Sequence, residues 1–327
     1  MPRALITSVP FGDPNRQPLT LLEDAGVEYL INPYKKRLTE SQLAELVGDF
    51  DTIIAGTEPI TDYVMSRASK LRHISRIGIG LNSVDLLSAR RRGIRVSYTP
   101  EAPAPAVAEL TLCLMLMLLR FAHTSNDQMH DRRWQRIFGR RLAEVTVGII
   151  GVGRIGSRVV RYLKGIGTSA ILTNDTAPNE ELGRACGVEW MTKAEILEKA
   201  DVVSLHLPLT CQTKNLITRS HLLAMKPDAI IINTSRGGII NEQDLYDVMM
   251  GGHLSGAAVD VFEQEPYSGM LADIKRCLLT AHMGSMSIDC RSRMELEATR
   301  EAIGFLEGKA LEQEVPEAEY DVQRQGL

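Results

Sequence analysis

A chain of 327 residues with 44% apolar and 24% charged side chains has the composition of an ordinary globular protein and the length for two domains. Its formal net charge of −4 offers no global basic field to nucleic acid or an anionic membrane, so an anionic small ligand needs a local positive site. The cysteines (Cys113, Cys186, Cys211, Cys277 and Cys290) are scattered and lack CxxC spacing, which argues against a disulfide framework or a zinc site, and no metal is expected.

The first apolar run, in "MPRALITSVPFGDP", is too short for a signal peptide and lacks a small-residue cleavage site. Strand and helix patterns then alternate. Strands are expected at "RALITS", "VEYLIN", "FDTIIAG", "LRHISRIG" and "IRVSYTP". Between them fall helices at "PLTLLEDAG", "TESQLAELVGD" (with Thr39 or Ser41 as cap), "TDYVMSRAS" and "SVDLLSARRRG". Such alternation implies a parallel sheet with crossover helices. One long helix is expected from about Pro105 through "AVAELTLCLMLMLLRFAHTSNDQMHD". Its first half is apolar on nearly every side and should be buried, between domains or between subunits. Its apolar run is broken by Arg120 and falls short of the ~20 residues that span a bilayer, so a cytoplasmic protein is expected.

A second alternating series follows, with strands at "VTVGIIG", "SAILTND", "GVEWM", "DVVSLHLP", "DAIIINTS", "LSGAAVDVF" and "CLLTAHMG". An amphipathic helix, "SIDCRSRMELEATREAIGFLEGK", comes next. The tail after Gly308 is charged and without period, and reads as a poorly packed extension.

Gly151, Gly153 and Gly156 form G-x-G-x-x-G between an expected strand and a helix. The first glycine permits a tight turn, the second a close approach of backbone to a pyrophosphate, and the third close helix–strand packing. The helix start presents unpaired N–H groups to the phosphates. Asp175 ends the next strand about 20 residues on, where a carboxylate accepts the ribose hydroxyls and repels a 2′-phosphate. This set predicts NAD binding. The mid-chain position implies a nucleotide domain, residues 101–286, inserted into a discontinuous substrate domain formed by 1–100 and 287–327. The expected fold is α/β, with two Rossmann-like doubly wound parallel-sheet domains and a small ligand in the cleft between them.

Three later segments end strands with polar residues, at the side of a sheet where ligands bind. They deliver Arg236, then Asp260 and Glu265, then His282. An arginine grips a carboxylate in bidentate fashion, and a histidine with a carboxylate partner serves as general acid or base. Together they suit hydride transfer at C2 of a 2-hydroxy or 2-keto acid.

The motifs "RIGIGLNSVDL", "VGIIGVGRIG", "ADVVSLHLPLT", "MKPDAIIINTSRGGIIN", "GAAVDVFEQEP" and "LTAHMGS" occur in this order. The chain thereby resembles the D-isomer-specific 2-hydroxyacid dehydrogenases, and within them the short phosphoglycerate-dehydrogenase-like members, over about residues 45 to 308. The resemblance implies that Arg236 is the substrate-binding catalytic arginine, Glu265 the partner of the histidine and His282 the acid/base. It also implies that Arg154 and Ile155 contact the pyrophosphate through their backbone. His206 and Pro208 would line the adenine side, Thr234 would lie beside the cofactor and Asp260 would hold the carboxamide. Backbone N–H groups of Ile79 and Gly80 would meet the substrate carboxylate. Pro103 stands where the family usually has Asn and cannot donate a hydrogen bond, which puts substrate choice or cofactor placement in question. The long regulatory C-terminal domains of some phosphoglycerate dehydrogenases are not expected. Relatives dimerise through the segment after the long helix, so a homodimer is expected. The resemblance implies a small 2-hydroxy/2-keto acid as substrate, such as 3-phosphoglycerate or a related acid. Two other readings remain open within this resemblance: an NAD(H)-sensing, corepressor-like interaction protein, and a dehydrogenase of a phosphorus-containing acid.

Overall fold

Short apolar runs separated by capped helices build a parallel sheet from the first residues of the chain. The strands are β1 (Arg3–Ile6), β2 (Glu28–Ile31), β3 (Thr52–Ala55), β4 (His73–Arg76) and β5 (Arg95–Tyr98). The computed structural model describes residues 1–325. The helices between the strands are α1 (Gln17–Asp24), α2 (Glu40–Leu46), α3 (Asp62–Arg67) and α4 (Leu86–Arg91). All strand pairs are parallel, in the order β2-β1-β3-β4-β5. Leu5, Ile53, Ile74 and Val96 are fully buried, as expected of a sheet covered on both faces. Thr39 caps α2 in a reciprocal capping box with Gln42, while Thr61 and Asp85 cap α3 and α4.

Contacts divide the chain into two units: Met1–Pro103 with the segment from Ser285 onward, and Ala104–Gly284. The second unit begins with α5 (Ala104–Leu119) and α6 (Ala122–His130). It continues through β6 (Thr146–Ile150), α7 (Gly156–Ile166), β7 (Ala170–Asn174), α8 (Glu180–Cys186), β8 (Glu189–Trp190), α9 (Lys193–Lys199) and β9 (Val202–Leu205). It ends with α10 (Arg219–Ala224), β10 (Ile230–Asn233), α11 (Glu242–Met250), β11 (Gly256–Val259) and β12 (Cys277–Leu279). The seven parallel strands lie in the order β12-β11-β10-β9-β6-β7-β8. Strand order reverses at β6, which pairs with β7 on one side and β9 on the other. Such a reversal opens a crevice at the carboxyl ends of the strands.

The single long helix expected after Pro105 is in fact two, bent by 65°. Phe121 is left-handed at the joint (φ 51°). The cause lies in the segment that returns from α6. Arg140 N–H donates to the Leu119 carbonyl at 2.9 Å, and a Cβ at Gly139 would lie 2.4 Å from that carbonyl oxygen. The crossing chain thus takes the helix-end acceptor and ends the run. Within this single chain, Thr111, Leu114, Met115 and Leu118 of α5 face the core, while Glu109, Cys113 and Leu116 are exposed. No single helix among the described residues is long and apolar enough to cross a membrane.

The chain returns to the first unit with α12 (Ile288–Leu306) and α13 (Glu317–Arg324). Here the expectation of a poorly packed tail is overturned. The Tyr98 N–H donates to Gln313, and the Val315 N–H donates to Val96. Val315 and Tyr320 are buried in the core of this unit. Arg95 pairs with Glu314 at 2.7 Å, and Arg90 pairs with Glu317 at 2.6 Å while its guanidinium lies 3.6 Å from the Tyr320 ring centroid. Gln323 bonds both Leu86 N–H and the Val84 carbonyl. The charges that hid any periodicity are the groups that fasten the tail.

Under α12, His73 is fully buried. Its Nδ1 lies 3.0 Å from the Thr52 hydroxyl, its Nε2 3.0 Å from the Ser97 hydroxyl, and its ring is stacked on Phe305. Burial first, then the nearby Arg95 charge, push its pKa down to about 3. The folded state therefore refuses a proton that the unfolded chain accepts below its usual value of about 6.5. The stability this contributes is complete above 6.5 and is lost as pH falls from there toward 3. His73→Gln should be less stable than wild type at neutral pH. The gap between their thermal midpoints should narrow steadily from pH 7 to 4.5, measured by circular dichroism; a constant gap would mean His73 is not held neutral.

Candidate active site

The crevice side of the seven-stranded sheet starts at the glycine joint. Gly151 has φ +92°, and a Cβ there would lie 2.3 Å from the His206 carbonyl oxygen; a Cβ at Gly156 would lie 2.0 Å from that of Gly151. These two glycines are required by the protein's own packing. Gly153 differs: nothing lies within 4 Å of its Cβ position. That open backbone fits the close approach of a ligand phosphate. α7 starts directly after, with Ile155 at its N-cap and no side-chain cap, whereas Asn179, Thr192 and Asn241 cap α8, α9 and α11. A helix start without a side-chain acceptor suits an anion. Arg154 is exposed in this loop, and its carbonyl accepts from Arg158 at 2.7 Å. Asp175 follows β7 half-buried. It accepts the Val152 N–H at 2.6 Å and the Ala177 N–H at 3.0 Å, which fixes a carboxylate beside the glycine loop.

His206 follows β9, the neighbour of β6. Its Nε2 lies 2.9 Å from the Ser204 hydroxyl, and burial lowers its pKa to about 4, so the ring is neutral. Pro208 is exposed on the same segment. Thr234 is buried just beyond β10, its hydroxyl 2.8 Å from that of Thr111 on α5.

Arg236, Asp260, Glu265 and His282 emerge beyond the ends of β10, β11 and β12, three adjacent strands. The Asn233 side chain ties the first of these turns, donating to the Arg236 carbonyl at 2.8 Å and accepting from the Ser235 N–H and hydroxyl at 3.1 and 2.7 Å. The guanidinium of Arg236 donates to the Ser235 carbonyl at 2.6 Å. At the next residue, Gly237, a Cβ would lie 2.0 Å from the carbonyl carbon and oxygen of Phe262. The arginine turn is therefore pressed against the backbone that leads to Glu265.

Asp260 is buried and serves as a buckle. Its carboxylate accepts from the Thr280 hydroxyl at 2.6 Å and from the N–H groups of Met283 and Gly284 at 2.8 and 2.9 Å. Both oxygens are thus engaged around the histidine turn. His282 itself is left-handed, with φ 48°, and donates its N–H to the Asp260 carbonyl at 2.8 Å. Its Nδ1 lies 2.9 and 3.1 Å from the two Glu265 oxygens, and one of these also accepts the Phe262 N–H at 3.1 Å. The His282 and Glu265 side chains remain 43% and 30% exposed, so the pair is open to a ligand.

Ile79 and Gly80 lie in the other unit, half-buried beyond β4, where the preceding Gly78 N–H donates to the Thr99 hydroxyl at 2.7 Å. Asn233, Ser235, Thr280, Ser204 and Thr111 escape the sequence reading although they hold site residues in place. For Asn233 a signal was available, since an Asn or Ser at a strand end favours side-chain-bonded turns. The hydroxyl of Thr111 meets Thr234 across 123 positions of sequence, which no local pattern reveals.

Residues 112–284, which span the glycine loop and this whole rim, match the D-isomer specific 2-hydroxyacid dehydrogenase, NAD binding domain. The chain belongs to the D-isomer specific 2-hydroxyacid dehydrogenase family. It is 33% identical to a glyoxylate reductase of Korarchaeum cryptofilum over 82% of this chain and 83% of that one. It is 32% identical to a D-3-phosphoglycerate dehydrogenase of Synechocystis over 84% of this chain, but spans only 50% of that protein. The structure superposes on the TT0316 protein from Thermus thermophilus with a TM-score of 0.88 and 32% identity, covering 96% of this chain and 100% of that one. As a family enzyme it takes NAD as cofactor. Asp175, beside the glycine loop, should make the dehydrogenase strongly prefer NADH to NADPH, because a 2′-phosphate would meet its carboxylate. Asp175→Ala should narrow that preference by roughly tenfold or more, the scale of one charge contact. Fluorescence titration with both cofactors checks this; equal binding of both by wild type would remove Asp175 from the ribose.

Proposed function

We propose that this enzyme reduces a small 2-keto acid to the 2-hydroxy acid, with glyoxylate and hydroxypyruvate as first candidates. The Glu265–His282 pair, 2.9 Å apart and next to the arginine turn, carries this reading. The likeness to glyoxylate reductase over most of both chains favours a small acid. Bound NADH supplies the hydride that reaches C2. Arg236 grips the substrate carboxylate with its planar fork and polarises the C2 carbonyl. His282 gives a proton to the oxygen that becomes alkoxide. Its Nδ1 is committed to Glu265, which leaves Nε2 for the substrate. Ile79 and Gly80 offer backbone N–H groups to the carboxylate. Arg154 and Ile155 would hold the pyrophosphate by their backbone, and Asp175 the adenosine ribose. His206 and Pro208 would wall the adenine side, Thr234 would lie beside the cofactor, and Asp260, which also fixes the histidine turn, would hold the carboxamide. On this reading Ala104–Gly284 is the NAD-binding domain, and Met1–Pro103 with the returning segment is the substrate domain.

The test is a panel of glyoxylate, hydroxypyruvate, pyruvate and 3-phosphohydroxypyruvate with NADH, followed at the nicotinamide absorbance. His282→Gln should lower kcat by roughly two to four orders of magnitude. Arg236→Lys should raise KM and lower kcat with little change in NADH binding, and Glu265→Gln should be milder than His282→Gln. If wild type binds NADH and turns over no member of the panel, the assignment fails.

The enzyme acts as a cytoplasmic homodimer. Free cysteines fit a reducing compartment. The segment after α6 holds out Trp134 and Phe138 at 79% and 98% exposure, apolar side chains that a contact between subunits would cover. The double variant Trp134→Glu, Phe138→Glu should run as a monomer on sedimentation at micromolar concentration, where wild type runs as a dimer; a monomeric wild type sinks the idea.

A further inference from the structure

We propose that Glu242 is a positioning residue: its carboxylate and the bare backbone of Gly237 clasp the loop that carries Glu265 to the turn that carries Arg236. The inference rests on the roles given above to Arg236, Glu265 and His282.

Glu242 opens α11, where an acidic residue ordinarily serves its own helix. That service is already supplied, because Asn241 caps α11 through the Asp244 N–H at 2.9 Å. The Glu242 carboxylate instead reaches another loop and accepts the Glu263 N–H at 2.7 Å. The environment is unfavourable for a charge. Burial raises its pKa, and the carboxylates of Glu263 and Glu265 push the same way; the bond from Glu263 N–H opposes them. What holds the carboxylate there is thus a short, charge-assisted bond to the backbone of the glutamate loop.

Glu263 stands two residues before Glu265, and the neighbouring Phe262 N–H is bound by Glu265 itself. At the same point Gly237 touches Phe262 and Glu263 so closely that a Cβ would lie 2.0 Å from one and 2.6 Å from the other. Two contacts from one short segment, Gly237 and Glu242, therefore fix Phe262 and Glu263, and through them the Glu265 carboxylate that orients His282. Without the Glu242 acceptor, the loop loses its hydrogen bond to the start of α11, while the packing at Gly237 remains. The Arg236 turn keeps its own ties to Asn233.

The predicted signature is a split between kinetic constants. With glyoxylate as probe, or hydroxypyruvate if that is turned over faster, Glu242→Ala should lower kcat about 10- to 100-fold, the range for ångström-scale misplacement of a reacting group. KM for the acid and the NADH dissociation constant should stay within about twofold of wild type, because the arginine turn and glycine loop are untouched. Glu242→Gln keeps an acceptor oxygen at the same reach and should recover most of kcat. Glu242→Asp falls short by a methylene and should resemble Ala, which keeps the test alive if the Ala variant fails to fold. The histidine-ring NMR signal of His282, assigned by its disappearance in His282→Gln, should move in the Ala and Asp variants and return toward wild type in Gln. Normal kcat and an unmoved His282 signal in Glu242→Ala or Glu242→Asp, while Glu265→Gln and His282→Gln lose activity, overturn the clasp alone. Full activity in Glu265→Gln and His282→Gln overturns the catalytic reading, and the clasp falls with it.

Discussion

Asn233, Val259 and Leu279 lie side by side across three neighbouring parallel strands. That register decides the level at which β10, β11 and β12 stop. The residues that follow, Thr234 to Arg236, Asp260 to Glu265 and Thr280 to His282, must therefore emerge together on one rim. A slip of one residue in a strand turns every side chain to the opposite face, so the apolar filling of the sheet enforces the level. Ile230, Ile231 and Ile232 are buried, with Ala257 and Ala258 beside them. Core packing and the arrangement of polar groups on the rim are in this sense one constraint. Asn233, Asp260 and Gly237 refine it by side-chain bonds and close backbone contact.

Most of this architecture is readable in one dimension because its signals are local. The strands of both sheets announce themselves as short β-branched runs, and the nucleotide-type turn as glycines between a strand and a helix. The strand-end residues Arg236, Glu265 and His282 follow from the same pattern together with the rule that ligands sit at carboxyl ends. What stays hidden depends on distant partners. The joint at Phe121 is set by Arg140, which returns from a later segment. The tail looks structureless because its fastenings, Glu314 and Glu317, are charges whose partners lie over two hundred positions away. Asn233 and Glu242 look like ordinary turn and helix-start residues; only the fold shows what they hold.

Three histidines illustrate how one residue type is given different work by its surroundings. His73 lies between two hydroxyls and a phenyl ring, without access to water, and stays neutral as a packing element. His206 is kept neutral by burial at the crevice beside the glycine loop. His282 alone is both open to solvent and bonded to a carboxylate. Sequence spacing treats them alike, since each stands in or directly after a strand.

The docked tail has a further effect on the five-stranded sheet. Its outermost strands are β2 and β5, each with one side lacking a strand neighbour. Such borders are templates on which other chains add strands, the usual route to aggregation. The tail lies antiparallel against β5 at Ser97 and Glu314, and its backbone takes up hydrogen bonds of Val96 and Tyr98. β5 is thereby shielded from sticky encounters. β2 is only four residues long and carries the charged Glu28 at its outset, a second way to discourage the same encounter. The segment that looked least structured in the sequence thus protects the sheet from assembling with its own copies.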